Sequence, residues 1–216
     1  MKRGFSLIEL LVVMTILGIV IALAFPASNT VLNWSRKAEA MSNMRQAMVA
    51  TMLFANDNYG ALPGRAYGND EEGRPRLKWP AAIGEYLGNA KILAVPGEEN
   101  RPVDEILSNT RNQTAFMING FNDLGGYNNP TLMVNITLIE TPANVILFGR
   151  KKEGVGQYYM DFVEGPNGNQ NDVLDKEAYG NGSIYGFADG SGRYLTVDEY
   201  QDEMWLINRD YQIPSF

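Results

Sequence analysis

The hydrophobic pattern divides the chain into two regimes. From Phe5 to Phe25 almost every position is apolar, broken only by Ser6, Glu9, Thr15 and Gly18. A helix over this run, rising ~1.5 Å per residue, spans roughly 31 Å, enough to cross the hydrocarbon of a bilayer. After Pro26 the apolar residues thin to every third or fourth position: Val31, Trp34, Ala38, Met41, Met44, Met48 and Met52. That spacing predicts an amphipathic helix over 27–60 continuing the first. Pro26 is expected to bend or loosen the join, because proline lacks a backbone donor and clashes one turn back. The turn formers Asn56-Asp57-Asn58-Tyr59-Gly60, followed by Pro63, predict the helix end. A methionine stripe can be a plastic binding surface or a packed face, and the packed face is favoured because helices bury one stripe by default.

The rest of the chain, 61–216, reads as sheet and loops. Residues 64–76 are glycine-rich, charged and aperiodic, an exposed loop. Trp79-Pro80 to Leu87-Gly88 predicts a short helix, and Ile92 to Val95 is a short apolar run closed by Pro96-Gly97. Strands are expected at 114–120, 132–138, 144–148, 184–188 and 193–197. The last two are joined by Asp189-Gly190-Ser191-Gly192, a hairpin signal in which Asp-Gly suits a type I′ or related turn. The expected fold class is α+β: a long amino-terminal helix packed on an antiparallel sheet with irregular loops.

Glu9 changes the meaning of the apolar run. An ionised side chain at the centre of a membrane helix costs about 2.5–3.5 kcal/mol, and less near an end, so a purely passive anchor has no use for it. Ahead of it lies a four-residue basic leader, Met1-Lys2-Arg3-Gly4, followed by Phe5-Ser6-Leu7-Ile8-Glu9-Leu10.

This segment resembles the amino-terminal signature of type IV prepilins and type II secretion pseudopilins. The resemblance implies cleavage by a prepilin peptidase between Gly4 and Phe5, methylation of the new Phe5 terminus, and an assembly role for Glu9. A small residue before the cut suits a tight subsite, and the basic leader favours the cytoplasmic side. In a filament, the amino group of one Phe5 can pair with the Glu9 carboxylate of a neighbour, each buried charge supplying the other's partner.

Implied with it are a pilin-like fold with leader 1–4, membrane or filament-core helix 5–26, amphipathic helix 27–60 and globular remainder 61–216. The implied partners are other subunits in a homo- or heteropolymer, the peptidase, an inner-membrane assembly platform, and membrane lipid before assembly. The implied location is the inner membrane with the carboxy-terminal domain in the periplasm, then a filament there or at the cell surface.

More loosely, Asn43-Met44-Arg45-Gln46, Ala55 through Pro63, and Phe187-Ala188-Asp189-Gly190 resemble a large bacterial subfamily of pilin-like proteins. Its closing motif is a histidine, nine residues, then Asp-Gly, but Tyr179 stands at the histidine position. Val95 likewise stands where relatives often carry a cysteine before proline.

A rival reading is an ordinary signal sequence, cut after Ala22-Leu23-Ala24 to leave Phe25 first, exporting or anchoring a globular enzyme or binding module. Against it stand the length of the apolar run, Glu9, and Pro26 just past the cut.

Composition narrows the chemistry. Formal charge is −7, and removal of Lys2 and Arg3 leaves 16 basic against 25 acidic residues, or −9. That balance argues against nucleic-acid binding. With no cysteine and no histidine, the chain has no disulfide, no thiolate metal site and no Ser/His/Asp triad. An enzyme is therefore not expected.

Two features remain. Asp161 to Asp172, with Asp175, is dense in oxygen ligands, and type II pseudopilins often hold calcium in a carboxy-terminal loop. By that resemblance Asp161, Asn169, Asn171, Asp172 and Asp175 are candidate ligands, although the EF-hand frame is absent and a solvated turn is favoured. No other cofactor is expected. Asp189 could pair with Asp161 or Glu164 for glycoside hydrolysis, but a hairpin turn is favoured because no pocket signature accompanies it. The aromatics Trp79, Tyr158, Tyr159, Tyr185 and Trp205 are scattered, which suits packing better than sugar stacking.

Overall fold

The computed structural model describes residues 6–65, 78–96, 98, 100–108, 114–120, 134–162 and 169–207, with backbone only over 22–30. The chain divides into two units, Met1–Glu39 and Ala40–Phe216. Helix α1, Leu7–Asp57, fills most of the first unit and enters the second. Apolar and amphipathic segments thus form one helix, and Pro26 does not end it.

In the second unit a five-stranded sheet has the order β3-β1-β2-β4-β5. The strands are β1 Phe116–Asn119, β2 Ile146–Arg150, β3 Tyr159–Met160, β4 Gly182–Phe187 and β5 Gly192–Thr196. The expectation of an antiparallel sheet needs correction, because β3 pairs parallel with β1. After β2 the chain reverses, crosses to the far side of β1, and lies down there; since β1 already opposes β2, the returning strand runs with it.

The expected strand at 132–138 is also corrected. Residues 131–133 lie outside the described part, and Ile136–Leu138 is a 3-10 turn whose preceding Asn135 accepts from the Thr137 N–H. Asparagine at that position competes with a ladder by capping its own chain. Ile92 lies in a 3-10 turn, Ala90–Leu93, and the helix at Trp79 (α2) stops at Gly84. Two further short helices, α3 Val103–Ser108 and α4 Gln170–Val173, and 3-10 turns at Pro142–Asn144 and Asp202–Trp205 complete the set described. Most of the loop expected at 64–76 lies outside the described residues.

Both faces of the sheet are covered. On one, Met44, Ala47 and Met48 of α1 join Phe116, Ile118, Phe148, Ile184 and Trp79 in a buried core. On the other, Met117, Met160, Phe162, Leu174, Tyr185, Phe187 and Trp205 form a second core. The methionine stripe is therefore packing, as expected. Its close approach depends on Gly186 of β4, where an added Cβ would lie 2.4 Å from Met48 Sδ. Trp79, Tyr158, Tyr159, Tyr185 and Trp205 are likewise buried.

Helix α1 closes with the Gly60 N–H donating to the Ala55 carbonyl, five residues back, at 2.7 Å. This 6→1 closure puts residue 59 in the left-handed region, where glycine is usual. Here it is Tyr59, φ 56°, at a cost of about 1–2 kcal/mol. The Asn135 side chain holds it by donating to the Tyr59 carbonyl at 2.7 Å.

Candidate functional site

Gly4 and Phe5, the expected processing residues, lie outside the described residues. The structure begins to speak at Ser6. The Ser6 N–H donates to Glu9 Oε2 at 2.9 Å, and Ser6 Oγ accepts from the Ile8 N–H at 3.4 Å. The first helical bond follows, Leu10 N–H to the Ser6 carbonyl at 3.2 Å. Ser6 thus caps the helix through the Ile8 N–H while Glu9 reaches back to the Ser6 N–H, a near capping box that places a carboxylate at the positive end of the helix.

Sequence reasoning gave Glu9 its partner in a neighbouring chain and passed over this one. The signal, a serine three residues before a glutamate ahead of an apolar run, was present.

The other polar groups of the segment turn inward too. Thr15 Oγ1 donates to the carbonyls of Val12 at 2.8 Å and Leu11 at 3.0 Å. The Thr15 hydroxyl thus finds its acceptors within the helix and does not depend on water, the condition hydrocarbon imposes. Meanwhile Leu7, Ile8, Leu10, Leu11, Val12, Val13, Met14, Ile16, Leu17, Ile19, Val20 and Ile21 are all exposed, from 47% at Val12 to 87% at Leu7. A helix apolar all round its circumference belongs in lipid or among other apolar helices. Among the described residues no helix is long and apolar enough to cross a membrane. The apolar run continues in sequence to Phe25, through residues whose side chains are not described.

The candidate calcium ligands are placed as follows. Asp161 and Asn169 meet: the Asp161 N–H donates to Asn169 Oδ1 at 2.7 Å, and the Asn169 N–H donates to the Asp161 carbonyl at 2.9 Å. Both residues are buried. The Asp161 carboxylate receives Arg65 Nη1 at 2.6 Å, and the Arg65 guanidinium lies over the Tyr159 ring. Asn171 and Asp172 sit exposed on α4, and the Asn171 carbonyl accepts from Lys152 Nζ. Asp175 accepts from the Glu177 N–H at 3.2 Å. Any cation at Asp161 competes with Arg65 for the carboxylate. Among the described residues no three Asp or Glu side chains gather as a metal site, and Glu164, with the rest of 163–168, lies outside them.

Asp189 sits in the β4–β5 hairpin. Its Oδ1 accepts from the N–H and hydroxyl of Ser191, and its other oxygen receives Arg193. Arg193 also donates to Ser191 Oγ and to the Ala143 carbonyl, pinning the hairpin to the neighbouring turn. Partial burial pushes the Asp189 carboxyl up, but the Ser191 hydrogen bonds and the Arg193 charge outweigh it and hold the group below its ordinary value. Only Gly190 has positive φ here, and its N–H bonds the Phe187 carbonyl. The turn is therefore a type I turn with a left-handed glycine, not type I′. Tyr179 accepts at its carbonyl from the Tyr194 hydroxyl at 3.3 Å.

Lys151 at the end of β2 escaped sequence reasoning because nothing in its neighbours announces burial. Burial, together with the Arg150 charge, lowers its ammonium to about 8, with Glu98 opposing.

Residues 1–25 match the prokaryotic N-terminal methylation motif. The chain carries the type IV prepilin signature. That motif supports a membrane-anchored precursor of the pilin or pseudopilin type. Neither a curated protein nor a solved structure matches the chain.

Proposed function

We propose that this chain is a structural subunit of a type IV pilus-like or type II secretion pseudopilus filament. On this reading a prepilin peptidase cuts after Gly4, Phe5 is methylated, and subunits polymerise through α1 at an inner-membrane assembly platform. The second unit then faces the periplasm or the cell surface, and the chain has no catalytic role of its own.

The observation that carries the reading is a helix segment whose apolar side chains are exposed all round, within the very residues the motif covers. Such a segment can sit in lipid or pack among copies of itself, so it can pass from one to the other. Glu9 supports the same passage. Its carboxylate caps its own helix before assembly by accepting from the N–H of Ser6, the residue next in sequence to the Phe5 terminus that cleavage would create.

Intact-mass and terminal-peptide spectrometry of the mature protein tests it. A chain beginning at N-methylated Phe5 and recovered in sheared filaments is the expected result. A chain beginning at Phe25 would make the segment an ordinary export signal and overturn the reading.

A further inference from the structure

Polar residues mark two depths along the first part of α1. Glu9 stands at one, and Ser28-Asn29-Thr30 at the other. Between Glu9 and Ser28 the sequence is apolar apart from Gly18 and Thr15, whose hydroxyl is satisfied within the helix. At ~1.5 Å rise per residue the two marks lie about 29 Å apart, and the hydrocarbon of a bilayer is ~30 Å thick. Centring the apolar run from Phe5 to Phe25 in that layer instead would sink Glu9 about 6 Å below its edge. A register with Glu9 and Ser28 at the edges keeps the carboxylate where its charge costs least.

That register carries the helix past Pro26 into the headgroups on the far side. Every residue from 31 to 36 is exposed, with Val31, Leu32 and Trp34 at 64%, 54% and 73%. From Leu7, where α1 begins, to Trp34 is about 40 Å, against ~40–45 Å for a bilayer with its headgroups. Helical side chains lean toward the amino terminus, so the indole reaches back into the headgroup layer, where tryptophan is enriched in membrane proteins. Arg36 leans the same way and can bring its guanidinium to lipid phosphates. Half-buried Lys37 follows, and exposed Glu39 stands about 16 Å beyond Ser28, outside the headgroups.

Trp34 and Arg36 point to nearly opposite sides of the helix. A protein docking on one face could not use both. A bilayer crossed by the helix surrounds it and meets every side at the same depth.

We propose that residues 31–36 seat, before assembly, in the far headgroup layer of a phospholipid bilayer, with Trp34 as aromatic anchor and Glu9 and Ser28 at the two edges of the hydrocarbon. The inference rests on the membrane-anchored stage of the filament reading and adds to it the depth of the helix.

The chain has no cysteine, so a single introduced thiol carries a unique label. Full-length chains with the fluorophore bimane on Ile21→Cys, Val31→Cys or Ala38→Cys are reconstituted in phosphatidylcholine–phosphatidylglycerol vesicles. The vesicles carry a nitroxide either on the headgroup or deep in the acyl chain. Position 21 is expected to be quenched mainly by the deep nitroxide, position 31 about twofold more by the headgroup nitroxide than by the deep one, and position 38 by neither. Trp34→Ala should lower headgroup quenching at position 31 by about half, and Trp34→Tyr should keep it. Quenching at position 31 as weak as at position 38 puts the bilayer edge near Phe25 and overturns the proposal. So does quenching there chiefly by the deep nitroxide, or headgroup quenching that Trp34→Ala leaves unchanged. In those cases the filament reading stands, whereas a position 21 quenched by neither nitroxide takes the helix out of the bilayer and removes the membrane-anchored stage as well.

Discussion

Arg65 Nη1 lies 2.6 Å from Asp161 Oδ2, and both side chains are buried, at 2% and 4% exposure. The pair ties the segment leaving α1 to the end of β3, and the Tyr158 hydroxyl, donating to the Arg65 carbonyl at 3.1 Å, adds a second tie. Removing one partner strands a charge away from water, so Arg65→Met or Asp161→Leu alone is expected to destabilise by about 3–5 kcal/mol. The double variant should recover much of that. Denaturant titration of the four proteins in detergent gives the cycle, and additive losses would show that the pair does not act as a unit.

Gly186 and Met48 predict an overpacking effect. Gly186→Ala is expected to cost about 1–3 kcal/mol, since the new methyl meets a buried thioether that must leave its rotamer. Combined with Met48→Ala, which opens space at the same point, the loss should be smaller than the sum of the two single losses. Thermal melts of single and double variants check it; equal melting of Gly186→Ala and parent would place α1 farther from β4.

Asp189 predicts an acid limb. Its folded value is depressed, so its contribution is fully present above the ordinary value near 3.8 and is lost as pH falls from there through the folded value. Because the group is largely solvent-facing, the effect is modest. Asp189→Asn should flatten that part of the stability-against-pH curve while keeping the turn.

Lys151 predicts the opposite limb. Its folded value is lowered to about 8 from 10.5, so the charged amine opposes folding below pH 8. Between 8 and 10.5 the unfolded chain holds the extra proton, and stability should rise with pH relative to a Lys151→Met variant. Parallel pH curves for the two proteins would remove the effect.

Glu9 separates two roles. Glu9→Gln keeps an acceptor for the Ser6 N–H without charge, whereas Glu9→Leu keeps neither. Both are expected to insert in membranes, and both should form few filaments if charge pairing between subunits is what assembly requires. Carbonate-extracted membranes and sheared filaments, blotted side by side, read the two outcomes. Filament yield retained by Glu9→Gln would assign Glu9 to capping alone.

Legibility followed the range of the interactions. The helix from Leu7 to Asp57 could be read because its apolar runs and turn cluster are local, and the hairpin around Asp189-Gly190 because its turn chemistry is. Strands β2 and β4 were visible only as short apolar runs, since both faces of the sheet are covered and no alternation marks them. β3 is two residues long and is defined by where β1 happens to lie.

The sequence by itself determined the amino-terminal signature: the basic start, Gly4 ahead of Phe5, Glu9 and the apolar run are properties of neighbouring residues. Only tertiary structure decided the parallel β3, the burial of Lys151, the claim of Arg65 on Asp161 and the strained backbone of Tyr59. Each depends on a residue far away in the chain, 96 positions for Arg65 and 76 for Tyr59, and no local pattern records which distant group will arrive.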